Sequence, residues 1–473
     1  MAQQRIPGPK EWPWLGSVHR IVQGPHDFFV ELAETYGQVA QFTMVGHRAV
    51  LVSSPALIRE VLVERVDEFP KSPQDIALLS PYLGQGLLTN NGSSHRQQRK
   101  LVQPAFHHKR IQSYADIMVG YTQDMLATWQ GGEVRNISEE AMRLTLYIVA
   151  KSLFNEDSAE MARLADTIGH AVRELQEIVD ADFESPWIPP LWLPTPGNRR
   201  RRALQSTLHT TIDTLITKRV AGAVNGQVED RGDLLSMLLL AQDETGKGLT
   251  PSQVRDEVNT ILLAGHETTS NALTWTWYLL GQHPEVAEKL YAEVDKVLAG
   301  RAPTLADLPN LPYTAKVIKE SMRLYPPAWM LNRRRAVVDT TLGGYPIPRG
   351  TEVIISSYVM HHLARYFEDP DEFRPERFTA EFEESLPRFA YMPFGGGPRV
   401  CIGNSFAMME TQLILAMVSS HFALELLPGT VAELNPQITL SIKGGLSMRL
   451  VARGGNEGAM SQDETGRKLV MAG

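Results

Sequence analysis

The stretch 388–411 reads RFAYMPFGGGPRVCIGNSFAMMET and contains Cys401, the single cysteine of the chain. Gly395, Gly396, Gly397 and Pro398 precede it, and Ile402, Gly403 and Asn404 lead into an apolar run that predicts a helix over about 404–421. Glycine lets backbone approach a bound group closely, because no side chain stands in the way. A sulfur beside a helix start faces unsatisfied N–H groups and the positive end of the helix dipole, an environment expected to lower its pKa. The thiol could be a small buried hydrophobe, a nucleophile or a metal ligand. A nucleophile wants a histidine base with an orienting partner, and none of the 13 histidines stands in a protease-like signature. A zinc centre wants more sulfur or a spaced histidine pair, whereas His361 and His362 are adjacent. A phosphate loop would end in Gly-Lys-Ser/Thr, which this loop does not. What remains is one thiolate on a metal whose other ligands are not protein.

Composition sets the bounds around that site. The 473 residues are 43% hydrophobic and 21% charged, proportions of a globular protein large enough to enclose a bulky ligand. A net charge of −8 argues against nucleic acid as a partner. One cysteine permits no internal disulfide, and the first twenty residues hold no apolar run of signal-peptide or membrane-anchor length. A cytoplasmic protein is therefore expected. We expect one domain over 1–453 and a flexible tail over 454–473.

Helical patterns dominate, at roughly 56–66, 95–120, 139–153, 158–180, 199–222 and 232–242, with strands around 37–55 and 334–356. The longest helix, 250–282, opens on Thr250, Pro251 and Gln253, a capping box with proline at the first helical position. Inside it, LLAGHETTSNA (262–272) sets Glu267 and Thr268 in an apolar run. Thr268 can bond back to the Ala264 carbonyl, or Gly265 and the threonines can open a local bulge that admits protons to a closed pocket. In KESMRLYPP (319–327), Glu320 and Arg323 are spaced as a helix pair, ordinarily a surface one. Arg377 of RPERF (374–378) lies shortly before the cysteine loop.

Together these segments resemble the cytochrome P-450 family of haem-thiolate monooxygenases. Phe394, Gly397, Arg399, Cys401 and Gly403 fill every fixed position of the family's F-x-x-G-x-R-x-C-x-G pattern. AGHETT (264–269) is similar to the family's oxygen-activating helix segment, and Glu320, Arg323 and Arg377 match its structural Glu-Arg-Arg triad. The resemblance runs from PGP at 7–9 to about residue 453. It implies a mainly α fold with small β-sheets, a triangular prism whose long central helix lies over the haem. It implies haem b as cofactor, with Cys401 as axial thiolate and amides after it donating to the sulfur. Phe394 and Gly403 would bear on the thiolate side. His95, Arg99, Arg334 and Arg399 would meet the haem propionates, with Arg333 and Arg335 as alternatives to Arg334. Glu267 and Thr268 would supply protons to dioxygen. Glu267 stands where many bacterial members carry Asp, and His361-His362 departs from the family's His-Arg, so no propionate role is carried onto His362.

A substrate pocket is expected from Leu88, Ala264, Ala328, Met330 and Ile442, with SPWIPPLWLPTP (185–196) as a lid. The family's reaction inserts one atom of O2 into an apolar substrate, here expected to be a fatty acid, terpenoid or steroid-like lipid. Electrons would come from a ferredoxin or flavodoxin with its NAD(P)H reductase, docking near Arg96, Lys100, Lys109 and Arg110 of a monomer. The rivals are a peroxide-using haem-thiolate enzyme and a non-catalytic haem sensor.

Overall fold

Thr250 and Gln253 exchange backbone and side-chain hydrogen bonds across the first helical turn, with Pro251 at its first position. They start the element around which the molecule is arranged, a helix that runs unbroken over Pro251–Gln282. At 1.5 Å per residue it is about 48 Å long. The computed structural model describes residues 5–156, 190, 192–223 and 228–453, with scattered positions between 160 and 181. Apolar residues line the central helix on nearly every side, so it must be enclosed. Ile137–Phe154 packs along it, and Pro312–Leu324, Pro196–Ala221 and Asn404–His421 complete the surround. Trp275, Leu273 and Leu279 sit in the large apolar core these helices share.

A second core gathers under a four-stranded sheet at the other end. Val39–Met44 and His47–Val52 form the expected hairpin around Gly46, whose φ of +75° suits the turn. His47–Val52 then pairs in parallel with Glu352–Ile354, which carries Arg334–Arg335 on its far edge. The sheet thus joins the chain's start to the segment before the cysteine loop.

Two expected helices differ. The 95–120 run is cut into Gly92–Val102, a single turn at Gln103–Phe106, His108–Gln112 and Ala115–Leu126. Pro104 and the extended backbone of His107 break it. The 56–66 helix is Pro55–Arg59 followed by a wider π-turn over Glu60–Glu64. Parts of 158–180 and of 185–196 lie outside the described residues, as does the 454–473 tail; the described positions of 158–180 are helical.

Candidate functional site

The cysteine loop is rigid. Gly395 and Gly397 both have φ of +69°, and a Cβ on Gly397 would fall 2.6 Å from the Leu62 carbonyl oxygen. A Cβ on Gly396 would meet the Phe389 ring at 2.2 Å. The loop therefore lies hard against the π-turn and Phe389, and only glycines fit. A single helical turn at Gly397–Arg399 follows, and the Cys401 N–H donates to the Phe394 carbonyl at 3.0 Å. Asn404–His421 starts just beyond, with Gly403 as its cap. The sulfur faces an open cavity. Burial among its neighbours pushes the thiol pKa up, against the Gly403 N–H and the charge of Arg99, which favour thiolate. Desolvation thus outweighs the lowering expected at a helix start. Gly403 acts through this N–H and does not line the cavity.

One wall of the cavity is cationic. Lys71, His95, Arg99, Arg334 and Arg399 all line it. The Arg99 Nη1 donates to the Val400 carbonyl at 2.6 Å, tying this side chain to the residue before the cysteine. Arg399 donates to the Asn90 carbonyl at 3.0 Å and to Asn91 Oδ1 at 2.6 Å. Of the three consecutive arginines, Arg333 is engaged by Asp75, with Nε to Oδ1 at 2.7 Å, and Arg335 lies 3.6 Å from Glu352. Arg334 is buried, and its Nη1 has no hydrogen-bond partner among the described residues. Burial first, then Arg399, brings the Arg334 pKa down to about 10. His95 is buried and its pKa is pushed down to about 3 by desolvation and the surrounding cations, so it is neutral. Lys71 donates to the Leu87 and Leu88 carbonyls, and burial holds its pKa well below the ordinary value. Such a concentration of buried positive charge is tolerable only opposite an anion. It suits the carboxylates of a haem.

Lys71 escapes sequence reasoning, since PKSPQ (70–74) looks like any helix entry. It reaches the wall because its strand-like backbone bridges to Arg334.

Across the cavity lie Leu263, Ala264, Glu267, Thr268, Thr269 and Ala272 of the central helix. The helix contains no bulge here. Thr268 Oγ1 donates to the Ala264 carbonyl at 2.7 Å, and Thr269 likewise to Gly265 at 3.0 Å. The back-bonds satisfy both hydroxyl protons without opening the ladder, so the bulge expected around Gly265 does not form. They leave the hydroxyl oxygens as acceptors.

The Glu320–Arg323 pair is not on the surface. Both side chains are fully buried, with Arg323 Nε to Glu320 Oε2 at 2.8 Å and Nη2 to Oε1 at 2.9 Å. Arg377 Nε reaches Glu320 Oε1 at 2.8 Å. The remaining guanidinium protons go to carbonyls of His361, Pro370 and Glu372. Local helix spacing supplies two members, but burial comes from the Glu368–Arg377 segment folding over them. His361 extends the network. Its Nδ1 donates to the Arg323 carbonyl at 3.2 Å, and its Nε2 accepts the Met392 N–H at 2.9 Å. The Glu-Arg network is thereby bonded to the cysteine loop. His362 instead stacks on Tyr358 with ring centroids 4.0 Å apart.

The cavity measures about 1660 Å³, larger than the roughly 300–1,000 Å³ of most small-molecule sites, and therefore able to hold a large cofactor beside a substrate. Leu88, Ala264, Ala328 and Met330 line it. Ile442 does not. It is buried in the helical core, paired in register with Leu434, and the segment Glu433–Thr439 takes the place expected of it. Of the lid residues, Trp187, Ile188 and Leu191 fall outside the described residues, and Trp192 is exposed. Of the suggested docking cations, Arg96 and Arg110 are paired with Asp67 and Asp230. Lys100 and Lys109 are exposed. Among the described residues, no helix is long and apolar enough to cross a membrane.

Comparison with known proteins agrees with this geometry. The family model described as Cytochrome P450 matches residues 6–445. The chain is similar to cyclooctatin synthase of Streptomyces melanosporofaciens, 37% identical over 442 residues that cover 92% of this chain and 93% of the relative. It is equally similar, at 37% over 428 residues, to cyclooctat-9-en-7-ol 5-monooxygenase of the same organism, covering 89% of this chain and 90% of that one. Among solved structures, the cytochrome P450DA heme domain superposes with a TM-score of 0.83 at 26% identity, covering 96% of this chain and 98% of that one. A thiol cradled in glycine beneath a cation-walled cavity, an acid and an alcohol facing it, and these relatives lead to one conclusion: the chain belongs to the cytochrome P450 family and is a haem-dependent monooxygenase.

Proposed function

We propose that Cys401 is the axial haem ligand and that the enzyme hydroxylates or epoxidises a cyclic, largely hydrocarbon substrate of terpenoid type. Fatty acids and steroid-like lipids are the other candidates. The observation that carries the reading is convergence. The Cys401 sulfur, the cationic wall and the Ala264–Thr268 face all open on one cavity whose remaining lining is mainly apolar. The bound haem supplies the activation of dioxygen. Lys71, Arg99, Arg334 and Arg399 hold its propionates, with neutral His95 as a hydrogen-bonding partner. Glu267 and Thr268 hold protons at the edge of the pocket, and Leu87, Leu88, Ala328 and Met330 orient the substrate and exclude water. The name of the relative cyclooctat-9-en-7-ol 5-monooxygenase describes a cyclic alkenol, and 37% identity to it supports a substrate of that shape. A ferredoxin or flavodoxin with its NAD(P)H reductase supplies electrons, docking near the exposed Lys100 and Lys109.

The test is a binding-shift screen of cyclic terpenes, fatty acids and steroids, followed by NAD(P)H-driven turnover with surrogate partners. Cyclic terpenes are expected to shift the haem spectrum at the lowest concentrations and to yield oxygenated product. Tighter binding of straight-chain acids would overturn the substrate assignment. Two variants examine the residue roles. Thr268→Ala is expected to lower product formed per NAD(P)H about tenfold, with an unchanged resting haem spectrum. Unaltered coupling would remove Thr268 from the relay. Arg334→Met removes a buried cation whose Nη1 has no hydrogen-bond partner among the described residues. It is expected to raise the melting temperature of the haem-free protein while speeding haem transfer to apomyoglobin about tenfold. Equal haem retention would show that Arg334 does not serve the propionates.

A further inference from the structure

We infer that Thr439, with Asn271 behind it, is a positioning residue that sets the Glu267 carboxylate at the pocket edge through a directed chain of hydrogen bonds. The inference rests on the proton-relay reading proposed above and adds to it a group from a separate part of the chain.

Thr439 Oγ1 donates to Glu267 Oε1. The same oxygen accepts from Asn271 Nδ2 at 3.0 Å. A hydroxyl has one proton, and a side-chain amide nitrogen can only donate. The direction is therefore fixed once the Asn271 amide nitrogen faces Thr439: Asn271 N–H to Thr439, Thr439 O–H to Glu267. Asn271 lies four residues after Glu267, on the same face of the central helix. The two ends of the chain are thus held by one rigid element, and Thr439 closes the gap between them.

The backbone that carries Thr439 is pinned as well. Trp275 Nε1 donates to the Leu440 carbonyl at 3.0 Å, and the Leu440 N–H donates to the Pro327 carbonyl at 2.9 Å. Leu440 begins the short strand Leu440–Ile442, paired with Leu434–Pro436. Thr439 and Asn271 are buried, yet Thr439 and Glu267 both line the cavity. A hydroxyl placed there for packing alone would not need its proton aimed at the carboxylate. Glu267 is a long, rotatable side chain, and fixing one oxygen removes most of its freedom to turn away from Thr268.

The experiment compares Thr439→Val, which keeps the shape and deletes the hydroxyl, with Thr439→Ser, which restores it, in the haem-loaded enzyme. Expected for Thr439→Val is about a tenfold fall in product per NAD(P)H, with peroxide formed instead and substrate binding within twofold by spectral shift. Thr439→Ser is expected within twofold of the parent in both. Independently of turnover, a crystal structure of Thr439→Val is expected to show the Glu267 carboxylate rotated from its present place. Coupling that survives Thr439→Val, or a carboxylate that stays put, would overturn the inference. Glu267→Gln and Thr268→Ala run alongside. If they uncouple turnover and Thr439→Val does not, the relay stands and this inference fails. If none of the three uncouples, the relay reading itself fails.

Discussion

Cys401→Ser is expected to lower monooxygenation by at least about three orders of magnitude, more than 4 kcal/mol in barrier height, and to abolish the thiolate signature of the carbon monoxide complex. The reason begins with charge. Desolvation raises the pKa of this sulfur, opposed by the Gly403 N–H and Arg99. With haem bound, Cys401 would hold the iron as thiolate, since a metal cation beside a coordinating thiol strongly favours its deprotonated form. That ligand type would support the oxygen activation that the haem supplies. A serine oxygen in the same place is harder, far less acidic and a poorer electron donor. The loop itself should survive the change, since its shape is set by Gly395, Gly396 and Gly397 against Leu62, Leu331 and Phe389. Normal melting with an altered haem spectrum is therefore expected together. An unaltered carbon monoxide spectrum would place the ligand elsewhere.

Arg323→Leu is expected to destabilise the protein by about 3–5 kcal/mol, a large share of the 5–15 kcal/mol that holds most domains together. Among the described residues, Glu320 would be left buried with Arg377 and the Arg374 N–H as partners. Carbonyls of His361 and Pro370 would lose their Arg323 donor at the same moment, and Glu372 would keep only the longer bond from Arg377 among the described residues. The loss should reach the cysteine loop, because His361 joins the Arg323 carbonyl to the Met392 N–H. Urea unfolding of the variant should show a lower midpoint, and haem incorporation should fall with it. A Glu320→Leu/Arg323→Leu double variant should recover part of the stability, since no lone charge then remains buried. A change under about 1 kcal/mol in the single variant would mark the network as dispensable.

How far the sequence was legible follows the same physics. Thr250, Pro251 and Gln253 marked the central helix start, and Asn404–His421 was predicted to the residue, because caps, proline and glycine act within one turn. The broken 95–120 run shows the limit, for the apolar period continues across Pro104 and His107 while the backbone does not. Cys401 stood out by being alone among glycines. Arg334 could be named only as one of three, since nothing local says that Asp75 and Glu352 engage its neighbours. Lys71 and Thr439 were invisible for a related reason, and His361, though noted beside His362, gave no sign of its role. Each meets its partners across tens to hundreds of residues, and no spacing in the chain announces such meetings. Ile442 was misplaced by a few residues, enough in a tight hairpin to move a side chain from cavity to core.

The central claim is that this cavity inserts one atom of dioxygen into an apolar substrate using electrons from a separate partner. Turnover under isotopically heavy dioxygen, with NAD(P)H, a ferredoxin and its reductase, tests it most directly. The expected result is one heavy oxygen in the product and the other in water, with product formation abolished when the ferredoxin is left out. Product that carries no heavy oxygen, or that forms equally well from peroxide with the ferredoxin omitted, would contradict it.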